Sequence, residues 1–273
     1  MQCIVDGVVV TPEAASISIF DLGLLRGYGC FEAQRAYGGK VFRLERHLDR
    51  LERSAAALDI ELPRRSEIAG WVREIAAANG DCIVRLFVTG GYPDEPVSPP
   101  RTFAFAESVP EVPAGLRFLP LAAPWHPGGV SSELTGAKTM SYAPNLRATR
   151  EAQHAGFDDA LLYSRDGDLL EGPTFCIGWF RRGVLETPSL DLGVLASITR
   201  EAVLEAATGL HIPVAEGRYG RNVLAEADEV FAISTVKEVT SVVAVGEQSF
   251  RPGADTARVA DAFREIVATE TGT

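Results

Sequence analysis

Thr135-Gly136-Ala137-Lys138-Thr139-Met140-Ser141-Tyr142-Ala143-Pro144-Asn145-Leu146 is the stretch from which the rest of the chain is best read. Small residues precede Lys138, and a helix is expected to follow from Ala143 to His154. The nearest carboxylate is Glu133, five residues back, so Lys138 has no obvious local ion-pair partner. A desolvated lysine with a lowered pKa can form a Schiff base with an aldehyde. The same letters also fit a solvated loop lysine, and this stretch alone does not choose between them.

Lysine is scarce here. Lys40, Lys138 and Lys237 are the only three among 26 basic residues. Arginine-rich codon usage explains the skew, yet lysine then tends to sit where a permanently protonated guanidinium cannot serve. The chain has 273 residues, 46% hydrophobic and 23% charged, with 26 Gly and 16 Pro, which is ordinary globular composition for one large or two modest domains. The net charge of −11 argues against a nucleic-acid surface. No apolar run approaches the length of a membrane span, and Met1-Gln2-Cys3-Ile4 lacks the pattern of a signal peptide, so a soluble cytoplasmic protein is expected. Cys3, Cys30, Cys82 and Cys176 form no C-x-x-C pair, which predicts buried free thiols and no metal site.

Working outward, Asp6-Gly7 between Ile4-Val5 and Val8-Val9-Val10 predicts a hairpin. A strand is expected over 28–37, followed by a Gly38-Gly39 turn. The stripe Leu44, Leu48, Leu51, Ala55, Leu58 predicts a helix over 44–58. A second helix is expected over 66–78 with Ser66 as its cap, then strands at 82–88 and 102–105 separated by Gly90-Gly91-Tyr92-Pro93-Asp94-Glu95-Pro96 and Pro99-Pro100. Five prolines between Val109 and Gly129 mark a connection. The expected division is a small N-terminal domain at 1–114, a connection at 115–125 with a potential strand at 116–121, and a C-terminal domain at 126–273. In that second half, strands are expected at 160–163, 174–180, 184–186, 228–233 and 239–245. Helices are expected at 198–207 and 256–268.

Three more places bear chemistry. Glu171, between Leu169-Leu170 and Gly172, fits either a turn carboxylate or an inward-facing one; a carboxylate beside a pyridine nitrogen keeps that ring protonated. Leu195-Ala196-Ser197-Ile198-Thr199-Arg200 opens a helix, where amides and hydroxyls suit a phosphate, though a Ser197 cap explains the same letters. Ile233-Ser234-Thr235-Val236-Lys237 sets two hydroxyls directly after a strand. Arg50 shares a charged helix with His47, Asp49 and Arg53 and has the geometry for phosphate, or for solvent. Gly23, Gly27 and Gly29 lack the spacing of a nucleotide loop.

Taken in order, His47-Leu48-Asp49-Arg50-Leu51, Lys138, Glu171-Gly172, Ile198-Thr199-Arg200, and Ser234-Thr235 with Glu238-Val239-Thr240 resemble the class IV aminotransferases. These are pyridoxal-phosphate enzymes of fold type IV that include D-amino-acid transaminases, branched-chain aminotransferases, (R)-amine transaminases and aminodeoxychorismate lyase. The resemblance runs from Asp6-Gly7 to about Val245. It implies a mixed α+β two-domain fold, with a small N-terminal α/β domain and a larger C-terminal domain carrying a barrel-like sheet. It implies pyridoxal 5′-phosphate bound to Lys138 as a Schiff base, the same lysine then moving the substrate α-proton. Glu171 is implied at the pyridine nitrogen and Tyr142 at the 3-oxygen. Arg50, Ser197, Ile198, Thr199, Ser234 and Thr235 are implied at the phosphate. Phe31 is implied as a wall of the substrate pocket, with Ala33 and Arg35 further along the strand. A homodimer with shared sites is also implied.

The chain departs from the family pattern at Pro173-Thr174-Phe175-Cys176, where a serine and later an asparagine are usual. Val88-Thr89-Gly90-Gly91-Tyr92 lacks the arginine-x-histidine that binds substrate carboxylate in familiar D-amino-acid transaminases. Lys237 and Arg26 are the substitute candidates for that carboxylate. The segment Asp21-Leu22-Gly23-Leu24-Leu25-Arg26-Gly27-Tyr28-Gly29-Cys30-Phe31-Glu32 resembles the short D-amino-acid transaminases and lyases more than the longer branched-chain enzymes. The favoured expectation is therefore a D-amino-acid transaminase, with (R)-amines as further substrates. An aminodeoxychorismate lyase, an L-specific branched-chain enzyme and a non-catalytic binding protein are the alternatives.

Overall fold

The computed structural model describes residues 2–92 and 100–273, so Pro93-Asp94-Glu95-Pro96 and Pro99 of the expected connecting loop lie outside the described residues. The chain forms two compact units. The first comprises Met1–Pro110, Ala137–Tyr142 and Val267–Thr273, and the second Glu111–Gly136 and Ala143–Ile266.

The first unit contains β1 (Cys3–Val5), β2 (Val8–Val10), α1 (Leu22–Arg26), β3 (Gly29–Tyr37), β4 (Lys40–Val41), α2 (Leu44–Ala57), α3 (Arg65–Asn79), β5 (Cys82–Thr89) and β6 (Arg101–Glu107). Its sheet has the order β2-β1-β6-β5-β3-β4, and every pairing is antiparallel. Asp6 and Gly7 both adopt positive φ, 49° and 80°, and close the expected hairpin. The predicted stripe of α2 is buried at Leu44, Leu48, Leu51 and Ala55. It packs with Ile68, Val72 and Ile75 of α3 and with Val84, Leu86 and Ala104 of the sheet. The cap of α3 is Arg64, not Ser66. The Arg64 N–H donates to Glu67 Oε2 at 3.2 Å and its guanidinium to Oε1 at 2.7 Å, two residues before the expected cap, so the helix begins at Arg65. Helix α1 was not expected: five residues are too few for a periodic signal. Asp21 makes it, accepting a hydrogen bond from Gly23 N at 2.7 Å while Thr89 Oγ1 donates to its other oxygen at 2.9 Å.

The second unit contains β7 (Leu116–Ala122), α4 (Ala143–His154), β8 (Asp159–Tyr163), β9 (Cys176–Arg181), β10 (Val184–Pro188), α5 (Ile198–Gly209), β11 (Val214–Gly217), β12 (Glu229–Ser234), β13 (Glu238–Val245), β14 (Gln248–Ser249) and α6 (Ala254–Thr271), whose last turn counts with the first unit. The sheet order is β11-β10-β9-β12-β13-β7-β8, with β14 beside β13. Where the resemblance implied a barrel-like sheet, this is a path ending on β11 and β8. Strand β7 runs parallel to both β13 and β8, so residues 115–125 belong largely to a sheet instead of a free connection. Phe118, Leu161, Phe175, Ile177, Trp179, Val230 and Val242 form one core, in which the Phe118 and Phe175 rings stack at 4.2 Å.

The expectation grouped 126–273 together, but residues 137–142 and 267–273 fold with the first unit. Backbone pairing is the reason. Phe31 N donates to Lys138 O at 3.1 Å, and Met140 N to Gly29 O at 2.8 Å, extending the sheet along the edge of β3. All four cysteines are buried and unpaired. Among the described residues no helix is long and apolar enough to cross a membrane.

Candidate active site

In the first unit the site is built on the two faces of β3. Cys30, Glu32, Gln34 and Ala36 are buried on one face, while Phe31, Ala33, Arg35 and Tyr37 are half-buried on the other. Lys138 lies beside the start of this strand, and besides the two sheet bonds its own N–H donates to Ser54 Oγ at 3.0 Å. Ser54 Oγ in turn donates to Arg50 O at 2.9 Å, which ties the lysine's backbone to α2. Gly29 is required by this close approach: a Cβ there would meet Met140 Sδ at 2.5 Å and Val88 O at 2.6 Å. The Lys138 ammonium sits 4.3 Å from the centroid of the Phe31 ring, and the Tyr142 ring meets Phe31 edge-on at 5.9 Å. Phe31 also stacks on Phe87 at 5.5 Å, and Phe87 on Phe105 at 5.9 Å. Lys138, Phe31 and Tyr142, three of the expected site residues, are thus brought together, with Ala33 two residues along the same face.

Arg50 occupies the buried side. Its Nε donates to Glu32 Oε1 at 2.8 Å and its Nη2 to Glu32 Oε2 at 2.6 Å, while His47 Nδ1 lies 2.8 Å from Glu32 Oε2. Burial pushes the Glu32 carboxyl up, but the Arg50 charge and the hydrogen bonds from Arg50 and His47 outweigh it and hold the group down at about 2. Burial lowers His47, with the Arg50 and Lys138 charges acting the same way against the raising effect of Glu32. This unit therefore carries an ionised Glu32–Arg50 pair beside a neutral imidazole. Sequence reading had assigned Arg50 to a ligand and missed Glu32; the signal was a carboxylate at an inward position of an alternating strand. Arg26 is exposed at the end of α1, where its Nη1 donates to Leu25 O at 3.2 Å.

The second unit gathers the remaining expected residues around β9, β12 and α5. Glu171 is half-buried, and its Oε1 accepts from Leu195 N at 3.0 Å. Gly172 beside it leaves room for the Phe175 ring, which would lie 2.0 Å from a Cβ at that position. Ser197 caps α5 by accepting from Arg200 N at 3.2 Å. The amides of Ile198 and Thr199 lie in the first turn, where a helix offers them no internal acceptor, and the macrodipole favours an anion there. Arg200 is turned away from that end of the helix, its Nη2 donating to Glu216 Oε2 at 2.5 Å and to Pro188 O at 3.0 Å. Ser234 Oγ accepts from Lys237 N at 3.0 Å and closes the turn that carries Thr235. The Lys237 ammonium donates to Thr174 Oγ1 at 3.2 Å and lies 5.2 Å from the Phe175 ring; burial lowers its pKa.

These donor sets fit pyridoxal phosphate. One unit holds a primary amine beside an aromatic face; the other holds a carboxylate for a protonated ring nitrogen, and a capped helix start with hydroxyls for a phosphate. A family model described as amino-transferase class IV matches residues 29–245, and the chain belongs to that family, whose members use pyridoxal 5′-phosphate. A Methanocaldococcus jannaschii protein assigned as a branched-chain-amino-acid aminotransferase is 32% identical over 97% of this chain and 96% of its own. A D-alanine aminotransferase of Listeria monocytogenes is 30% identical over 89% of this chain and 86% of its own. Among solved structures, the fold IV transaminase CpuTA1 of Curtobacterium pusillum superposes with a TM-score of 0.86 at 30% identity, covering 98% of this chain and 99% of that one.

Proposed function

We propose that this enzyme moves an amino group between an amino acid and a 2-oxo acid, with D-amino acids favoured, and that Lys138 is its catalytic residue. The observation that carries this is the Lys138 amine held 4.3 Å from the Phe31 ring by a backbone bonded on both sides. When bound, pyridoxal phosphate supplies an aldehyde for amine exchange and a ring that delocalises the electron pair left at the substrate Cα. Lys138 Nζ takes the α-proton and returns it, which only an amine able to lose its charge can do. Glu171 would keep a proton on the ring nitrogen, and Tyr142 would be the partner of the 3-oxygen. Arg50, Ser197, Ile198, Thr199, Ser234 and Thr235 hold the phosphate; for Arg50, its tie to Glu32 supports a fixed guanidinium.

Phe31 and Ala33 line the substrate side chain, and Lys237 or Arg26 meets the α-carboxylate. The working unit is a cytoplasmic homodimer. Its support is the exposed apolar run Ile17, Ile19, Phe20, Leu24 and Leu25 around α1, a surface suited to a second copy. The preference for D-amino acids rests on the short 21–32 segment. The 32% identity to the branched-chain relative favours a second reading, an L-specific enzyme for branched-chain substrates.

The test is a single-turnover panel of D- and L-amino acids, following conversion of the holoenzyme to the pyridoxamine form. Conversion by D-alanine or D-glutamate and none by L-leucine supports the first reading; the reverse supports the second. Pyruvate release from aminodeoxychorismate in place of either points to a lyase. In the same assay Lys237→Ala should raise KM for amino acids far more than for amines lacking a carboxylate. Equal effects on both substrate types remove Lys237 from the carboxylate site.

A further inference from the structure

Glu171 is held at both oxygens. Leu195 N donates to Oε1 at 3.0 Å, and the Cys176 thiol lies 3.7 Å from Oε2 and 3.9 Å from Leu195 O. Cys176 opens β9 and is buried, on the strand face opposite the core side chains Ile177 and Trp179. Burial pushes this thiol up to about 12, the Glu171 charge adding to the effect, while the Arg200 charge and the Ser197 hydroxyl oppose it. The thiol is therefore protonated at neutral pH, and its S–H is available as a donor.

We propose that Cys176 is a positioning residue, whose S–H fixes Oε2 of Glu171 and so sets the direction in which that carboxylate meets the cofactor's ring nitrogen. The inference rests on the reading of Glu171 given under Proposed function. A thiol suits the task because it is a weak donor. It orients the carboxylate while leaving most of the charge for the ring nitrogen.

The test compares wild type with Cys176→Ala, Cys176→Ser and Glu171→Gln, each loaded with pyridoxal phosphate. The readouts are the spectrophotometric pH titration of the bound chromophore and the cofactor dissociation constant by equilibrium dialysis. Cys176→Ala should shift the titration midpoint and weaken cofactor binding by about three- to tenfold, the loss of one modest hydrogen bond. Cys176→Ser, which keeps a donor, should return both readouts toward wild type. The proposal is overturned if Cys176→Ala matches wild type in both readouts while Glu171→Gln alters them. It is equally overturned if Cys176→Ser behaves like Cys176→Ala, since packing alone would then account for the loss. A Glu171→Gln protein unchanged in both would instead remove the reading of Glu171 on which the proposal stands.

Discussion

The surroundings of Lys138 and those of Glu171 are built in opposite ways. Lys138 is held by long-range pairing: its neighbours Phe31 and Ser54 lie 107 and 84 residues away in sequence, and the strand it borders also carries the buried Glu32–Arg50 pair. Glu171 and the start of α5 are held by neutral groups: a backbone amide 24 residues on, a thiol five residues on and a serine cap. In the first region a buried ion pair is fully matched, with Glu32 and Arg50 almost solvent-free. The second uses neutral donors near its carboxylate, and its own ion pair, Arg200–Glu216, has one partner 42% exposed. The contrast teaches that the lysine region leans on a buried charge pair, whereas the Glu171 region leans on neutral donors and a helix cap.

The strongest way to break this contrast is to remove one carboxylate from each pair. Glu32→Ala takes the carboxylate from beside the buried Arg50 guanidinium and should destabilise the protein by about 3–5 kcal/mol. Glu216 is itself 42% exposed, so Glu216→Ala lets water replace it at Arg200, which keeps its bond to Pro188 O, and should cost about 1 kcal/mol or less. Urea unfolding measures both, and equal costs would erase the distinction.

Acid should sharpen it. Glu32 lies below its ordinary 4.5 in the folded protein, so its contribution is complete above pH 4.5 and lost as pH falls toward about 2. His47 is lowered from 6.5, so the unfolded chain takes up a proton that the folded one refuses, and stability begins to fall below about pH 6.5. A urea midpoint that declines between pH 6.5 and 4 is expected, and Glu32→Ala should flatten the profile at its acid end. An unchanged profile in that variant would place the acid sensitivity elsewhere.

Ser54→Ala should have a comparably small effect, about 1 kcal/mol for the hydrogen bond to Lys138 N. It should also weaken cofactor retention, as should Ser197→Ala, which costs about 1 kcal/mol through loss of the α5 cap and removes a hydroxyl proposed at the phosphate. Cofactor dialysis checks both, and a variant that retains the cofactor like wild type would remove that serine from the account.

How much of this was readable beforehand follows the same division. Helix α2 was legible because its leucine stripe is local, and α5 because Ser197 precedes its apolar face. The order of Lys138, Glu171 and the hydroxyl-bearing turns pointed to the family before any packing was known. Adoption of residues 137–142 by the first unit was not legible, since nothing near Lys138 advertises a bond to Phe31. Glu32 was missed for a related reason: its partners lie 15 and 18 residues away, across a strand and a helix. Helix α1 and β11 fell below the length at which periodicity speaks. Cys176 was visible as a departure from the family pattern, but only the folded chain shows its sulfur beside Glu171.

The most direct measurement is borohydride treatment of the pyridoxal-phosphate-loaded protein, followed by peptide mapping. Borohydride converts a C=N bond between lysine and the cofactor aldehyde into a stable amine, and this chain offers only three lysines as acceptors. The account predicts the phosphopyridoxyl label on Lys138 alone, with loss of the visible absorbance. A label on Lys40 or Lys237, or a coloured protein that acquires no covalent label, would contradict it.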